Sequence, residues 1–364
     1  MTLSEMKLSL RGPADLLAAV PYLLGFHPTD SLVIVGVRAG AVVFNARIDL
    51  PPADAVGPAA AQLSEIVGRQ RISRAVIVGY GPEDAVTPMV SAVRRALRRR
   101  RIDVPEALRV TGGRYWSYVC RDPQCCDPAG VPFDVATSEV AATATVAGMA
   151  AVASRDVVEE RIRPVTGKAA LAMSRAAMRA DERLEALAGG PDPAGSLLAA
   201  GIAAVDAAIA KTALGARLSD DEVAWLALVL TDIRIRDHAW GRVDESPRQH
   251  VTLWTDVLRR ADPELGAPPA TLLAFAAWRD GGGAMPSIAI ERALAINPDY
   301  RMARYLSLAI DNGLDPRTYD EIATGSTVAT AGASRQDGAP ADQVVETTGS
   351  GRAAPGQAAG TWAA

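Results

Sequence analysis

Lysine is nearly absent from this chain. Lys7, Lys168 and Lys211 are its only lysines, and arginine supplies the rest of the 38 basic residues. Beside so much alanine, this reads as the coding bias of a GC-rich genome and not as a binding surface. Cysteine is equally scarce, with three in 364 residues. That odd, small number excludes a disulfide scaffold and makes a reducing cytoplasm the simplest setting. A strong charge of either sign is missing: the net value of −4 argues against general nucleic-acid affinity. Two apolar stretches stand out, and neither reads as a membrane span. Leu16 to Phe26 is interrupted by Pro21, preceded by Asp15 and followed by "GFHP", where a secretory leader would carry a small-x-small cleavage site. Val140 to Ala153 contains Thr143, Thr145 and Gly148 and is too short to span a bilayer. We expect no membrane anchor. Nor does the chain contain a P-loop, a nucleophile elbow or a zincin helix.

What is present is an ordinary globular composition, 49% apolar and 22% charged, on a chain long enough for two or more cores. The first third alternates strand and helix patterns. "GPADLLAAVPYLLG" predicts a helix opened by Pro13. "SLVIVGV" (31–37) is an apolar run of strand length, and "AVVFNARIDL" (41–50) alternates apolar and polar residues, so 31–50 predicts a β-hairpin. "ADAVGPAAAQLSEIVGRQ" is helical, "RAVIVGYG" (74–81) is a buried strand, and Pro82, Glu83 and Asp84 open a helix reaching about Arg101. "IDVPEALRV" and "RYWSYVC" predict two further strands, the second with Arg114, Trp116, Tyr118 and Cys120 on one face.

From about residue 136 the strand pattern stops. Ser154 and Thr166 have N-cap character and Gly189 has C-cap character. Helical patterns follow at about 196–214, 219–238, 247–261, 268–280, 284–296, 299–312 and 316–323. "AIERALAINPDYRMARYL" (289–306) resembles the second helix of a tetratricopeptide unit and the start of the next, with Ala293 small at a close crossing and Pro298 ending the helix. No 34-residue period extends it over three units. The expected fold is therefore an α/β domain over 1–135, a mixed sheet with flanking helices. An all-α domain with tetratricopeptide-like hairpin packing follows over 136–324. The residues of 325–364 lack periodicity and aliphatic bulk and are expected to be a disordered tail.

Several constellations could carry chemistry. "YVCRDPQCCDPAG" (118–130) holds Cys120, Cys125 and Cys126 within seven residues. The four-residue gap between Cys120 and Cys125 suits a metal chelate, with zinc the cation in question, although consecutive side chains such as Cys125 and Cys126 tend to point apart. Cys120 with Cys125 or Cys126 could also close a short redox loop. The plainer reading, which we prefer, is two rigid turns built by Asp122-Pro123 and Asp127-Pro128, with the thiols as small buried packing groups. No cofactor is called for on that reading. In "GFHPTDSLV" (25–33), His27 and Asp30 precede the first strand, and the hairpin brings Asp49 nearby. The three are catalytic candidates, set against a simple turn in which Asp30 or Ser31 bonds backbone amides. "VGYGPED" (78–84) matches no phosphate-binding fingerprint, and Glu83 and Asp84 would repel a phosphate. "RRALRRRR" (94–101) reads as a solvated helix end. In "TDIRIRDHAW" (231–240), Arg236, His238 and Trp240 are ligand-binding candidates. The plainer reading there pairs Asp232 with Arg236 and Arg234 with His238 at helical spacing and makes the rest a helix–helix contact.

"LRGPADLLAAVPYLLGFHPTDSLVIVGV", "RYWSYVCRDPQCCDPAG" and "RIRDHAW" together resemble the actinobacterial family 4192 of domains of unknown function, over roughly residues 8–320. The resemblance implies an actinobacterial, cytoplasmic protein and assigns no activity and no catalytic residue. Asp127 stands before Pro128 where the resemblance implies a second proline. Two classes remain. One is a non-enzymatic binding or scaffold protein, meeting a protein or peptide through its helical half. The other is a hydrolase, or a thiol- or metal-dependent enzyme, with a site near His27, Asp30 and the Cys120–Cys126 turn. The absence of catalytic motifs favours the first.

Overall fold

The computed structural model describes residues 12–38, 41–122, 124–135, 138–146 and 149–316. Contacts divide the chain into a unit Met1–Leu314 and a unit Asp315–Ala364, and every helix and strand named below lies in the first. The expected helix at 316–323 and the expected tail lie outside the described residues, save for Pro316.

Pro13 occupies the first turn of α1 (Pro13–Leu24), where its missing N–H costs nothing. The predicted hairpin forms from β1 (Ser31–Arg38) and β2 (Ala41–Asp49), paired antiparallel with Ser31 opposite Asp49. Helix α2 (Val56–Arg69) leads to β3 (Arg74–Tyr80). Helix α3 (Glu83–Arg99) then crosses over to β4 (Asp103–Thr111), which lies parallel to β3. β5 (Arg114–Ser117) and β6 (Val131–Pro132) complete a mixed six-stranded sheet of order β2-β1-β3-β4-β5-β6.

Alternation decides what each face buries. Leu32, Ile34, Ala75, Ile77 and Ala107 pack against Leu63 and Val67 of α2 and against Val86, Met89, Val93 and Leu97 of α3. Val33, Val35, Val78, Leu108 and Val110 alternate with them and are buried as well. Gly79 lets α3 approach, because a Cβ there would come within 2.3 Å of Val86 Cγ1. Arg98 and Arg99 close α3 exposed, as expected of a basic helix end, while Arg94 turns inward and donates to the Tyr118 carbonyl at 3.1 Å.

Two expectations for the last strands need correction. β5 stops at Ser117, so Tyr118 and Cys120 are not strand residues sharing a face with Trp116. Ser117 is the reason: its Oγ accepts the N–H groups of Val119 and Cys120 at 3.1 and 3.0 Å, a local bond that replaces the ladder. The sequence pattern also shows no strand after "RYWSYVC", yet the cysteine turn leads into β6. The turn is the loop of a β5–β6 hairpin, with Tyr115 opposite Val131.

Beyond it come α4 (Glu139–Val146), α5 (Arg155–Glu160), α6 (Gly167–Ala188), α7 (Pro193–Ala213), α8 (Asp220–Val229), α9 (Ile233–Gly241), α10 (Pro247–Arg260), α11 (Ala267–Asp280), α12 (Met285–Ile296) and α13 (Arg301–Asp311). Ser154 and Thr166 hold the N-cap positions of α5 and α6 without a side-chain cap bond, and Gly189 ends α6 in right-handed geometry. The single helix expected over 219–238 is two. Ser219 and Glu222 form a capping box at the start of α8, and the Asp232 carboxylate caps α9 by accepting from Arg234 N. In the tetratricopeptide-like pair, Ala293 of α12 is fully buried and α12 packs on both α11 and α13. The Asn297 side chain accepts from Asp299 N at 3.0 Å, fixing the turn at Pro298.

Sheet and helices are tied at several points. Ala284 N donates to Leu24 O at 3.2 Å, Arg155 grips Glu291, and Gln70 reaches the Gly313 carbonyl at 2.7 Å. Among the described residues, α7 is long and apolar enough to cross a membrane by length and composition, with a mean hydropathy of 1.6. In the fold it packs against α6, α8, α9 and α10.

Candidate functional site

The β5–β6 loop gathers the chain's thiols. The sulfur atoms of Cys120, Cys125 and Cys126 all lie within 4.8 Å of one another. The sequence makes this possible by refusing an extended chain here. The Asp122 carbonyl accepts from both Cys125 N (3.1 Å) and Cys126 N (2.7 Å), while its carboxylate accepts from Gln124 N at 2.9 Å. Adjacent cysteines in such a tight turn do not diverge as they would in a strand. Asp127 builds a second turn, its carboxylate accepting from Ala129 N at 2.7 Å. Both aspartates thus make the turns that the sequence predicted.

β5 pins this loop from beneath. Arg114 donates to the Gly130 carbonyl at 2.6 Å, and Trp116 Nε1 donates to the Pro128 carbonyl at 3.1 Å. Gly130 has φ +84°, and a Cβ there would lie 2.5 Å from the Trp116 ring, so only glycine lets loop and indole meet. On the sheet, Trp116 carries the Arg109 guanidinium 3.8 Å from its ring centroid, and Arg109 pairs with Glu83 at 3.2 Å. Ser117 Oγ, which fixes Cys120, is itself held by the Glu106 carboxylate at 2.8 Å.

The thiols are not core groups. Cys125 is exposed and the other two are half-buried, and all three are free. Cys120 and Cys126 line a cleft of about 210 Å³ together with Tyr115, Trp116, Ser117, Arg121, Asp127 and Pro128. The Asp122 backbone N–H, and then the Cys126 thiol, hold the Cys120 thiol below its ordinary value. Burial, and then hydrogen bonds with its two neighbours, push Cys126 up to about 12. Without a cation, three crowded sulfurs cannot all carry charge.

The other candidates do not assemble with this loop. His27 is exposed, and its backbone N–H bonds Val152 O. Asp30 is exposed with φ +42°, and its carbonyl accepts from Leu50 N. Asp49 pairs with Arg47 at 2.5 Å. No hydrogen bond or ion pair joins the His27, Asp30 and Asp49 side chains to one another. Asp49 lies on β2, at the opposite end of the strand order from the β5–β6 loop. At roughly 4.8 Å per strand, the four steps from β2 to β5 amount to about 19 Å.

Arg236, His238 and Trp240 likewise go three ways. Arg236 pairs with Asp237 at 2.5 Å and donates to Tyr300 Oη at 3.3 Å, His238 meets Asp206 at 2.9 Å, and Trp240 stacks on Phe275. Asp232 binds Arg234, so the expected Asp232–Arg236 and Arg234–His238 pairs are absent. The cap explains this: Asp232 is spent at the start of α9, within reach of Arg234. A cleft of about 390 Å³ between α6 and α10 contains Arg260, but that guanidinium is already bound to Asp220, Asp256 and the Leu218 carbonyl.

The cysteines were legible in the sequence, whereas their supports were not. Arg114, Trp116 and Ser117 stood in a strand pattern that gave no hint of hydrogen bonds to a loop a dozen residues on. No curated protein and no solved structure matches the chain. The family model described as "Domain of unknown function (DUF4192)" matches residues 13–317, which takes in both the sheet with its thiol loop and the helices, and the chain belongs to that family.

Proposed function

We propose that the protein is a binding protein whose ligand engages the thiol loop between β5 and β6, with the helices serving as scaffold. The observation that supports this reading is the convergence of three sulfurs on an outward-facing loop pinned by side chains of the strand beneath it. One route to an activated catalytic cysteine is a base within hydrogen-bond reach of the thiol. Among the described residues lining the cleft there is no histidine, and Asp127 already accepts from Ala129 N. A reducing, cytoplasmic setting would keep the thiols free for a ligand.

The test is thiol chemistry on the full, reduced chain. A disulfide reagent should modify the three cysteines without denaturant, and the modified protein should keep its melting temperature. Thiols that react only after unfolding would overturn the reading. So would hydrolysis of generic esters that is lost in His27→Ala and kept in Cys120→Ser.

A further inference from the structure

We infer that Cys120, Cys125 and Cys126 together bind one thiophilic d10 cation, Zn²⁺ or Cu⁺, through three thiolates, which for Zn²⁺ leaves a fourth position open to solvent. This rests on the loop being the binding site and adds the class of ligand. The geometry is the first argument. Zinc–sulfur bonds of about 2.3 Å at tetrahedral angles put the sulfurs about 3.8 Å apart. Three sulfurs already within 4.8 Å of one another need only a small closure to reach that spacing. A disulfide would use two of them and leave the third without a role, whereas a cation uses all three.

Preorganisation is the second argument. Metal ligands are held by outer hydrogen bonds, and here each end of the thiol segment has its own. Ser117 Oγ fixes Cys120 N, the Asp122 carbonyl fixes Cys125 N and Cys126 N, and Trp116 and Arg114 fix the far side of the loop. The sequence-level objection to adjacent cysteines fails in this turn.

Ligand chemistry narrows the cation. Among the described residues no histidine nitrogen or carboxylate oxygen joins the three sulfurs, so hard oxygen-seeking ions such as Ca²⁺ and Mg²⁺ have nothing to bind. Three soft donors suit Zn²⁺ or Cu⁺. Each ligating thiol gives its proton to solvent as its sulfur–metal bond forms, and no electron is transferred. Three thiolates around Zn²⁺ carry about one negative charge in excess. Arg121, on the wall of the same cleft, stands where it can offset that charge. Closed four-ligand shells belong to structural zinc. A three-ligand shell on an exposed loop fits an ion that exchanges or meets a further ligand.

The experiment uses the full chain, reduced and stripped with a chelator under anaerobic conditions. Zn²⁺ and, separately, Cu⁺ are titrated against a chromophoric competitor, with Co²⁺ as the spectroscopic probe. The expected result is one ion per chain and a sulfur-to-cobalt charge-transfer band. Affinity should fall by at least about tenfold in Cys120→Ser, Cys125→Ser and Cys126→Ser, and by about tenfold in Ser117→Ala, which removes an outer support. Circular dichroism identifies any variant that fails to fold, and alkylation of the folded wild-type protein provides the same loss of ligands without mutation. Tighter retention of one ion in the competition series assigns the native metal. Stoichiometric binding that survives alkylation overturns the inference. No binding by a protein whose thiols react freely also overturns it, while leaving the loop as the binding site. Thiols that are unreactive as well as metal-free overturn both.

Discussion

The Arg109 guanidinium sits over the indole of Trp116, 3.8 Å from its centroid, and so couples the interior of the sheet to the loop that carries the thiols. Arg109 is almost fully buried, whereas its ion-pair partner Glu83 is mostly exposed. The stacking should therefore outweigh the ion pair, since exposed pairs add little and desolvated cation–π contacts are worth about 0.5–2 kcal/mol. Arg109→Met should cost about 1–2 kcal/mol in urea denaturation. It should also speed amide exchange at Gly130, because Trp116 loses the group that steadies it. Unchanged exchange at Gly130 would show that the indole is held by the loop alone.

Gly130 tests the same contact from above. Its left-handed φ of +84° and its 2.5 Å approach to Trp116 leave no room for a methyl group. Gly130→Ala should cost about 1–3 kcal/mol and loosen the β5–β6 hairpin. Limited proteolysis should then cut between Cys120 and Gly130 faster than in the parent. If cleavage is no faster, the loop does not depend on this packing.

The strands and most helices could be read from the sequence because each follows one period. β1 and β2 alternate or run apolar, and α10 to α13 repeat at helical spacing. What could not be read depends on single side chains that override the period. Ser117 ends β5 by capping two amides, although "RYWSYVC" alternates through to Cys120. Asp232 splits one helical pattern into α8 and α9 by capping the second. β6 is only two residues long and carries no pattern at all. The candidate site follows the same rule. The three thiols were visible as neighbours in sequence, but their meeting depends on where the Asp122 carbonyl points.

Ala293 shows a pattern that did carry through. It is fully buried in α12, which packs against both α11 and α13. Ala293→Leu should therefore overpack the crossing and cost about 1–3 kcal/mol. Ala293→Gly should also destabilise, by about 1 kcal/mol, but through helix propensity. Thermal denaturation of both variants distinguishes the two effects. A leucine variant as stable as the parent would mean that the helices can separate at no cost.

His250 offers a pH readout independent of the thiol loop. It is buried in α10, and Trp254 Nε1 donates to its Nδ1 at 3.2 Å, which places its own proton on Nε2. Burial pushes its pKa down from 6.5 to about 4, with Glu245 opposing the shift and Arg242 adding to it. The unfolded chain therefore takes up a proton between pH 6.5 and 4 while the folded chain does not. Stability from this group is complete above pH 6.5, falls as the pH drops through that window and levels off below about 4. His250→Gln keeps an acceptor for Trp254 but cannot titrate. The melting temperature of the wild-type protein should fall between pH 7 and 5 more steeply than that of His250→Gln, and the two curves should run parallel above pH 7. Curves that are parallel throughout would mean that His250 titrates alike in the folded and unfolded chain, and that its burial does not exclude the proton.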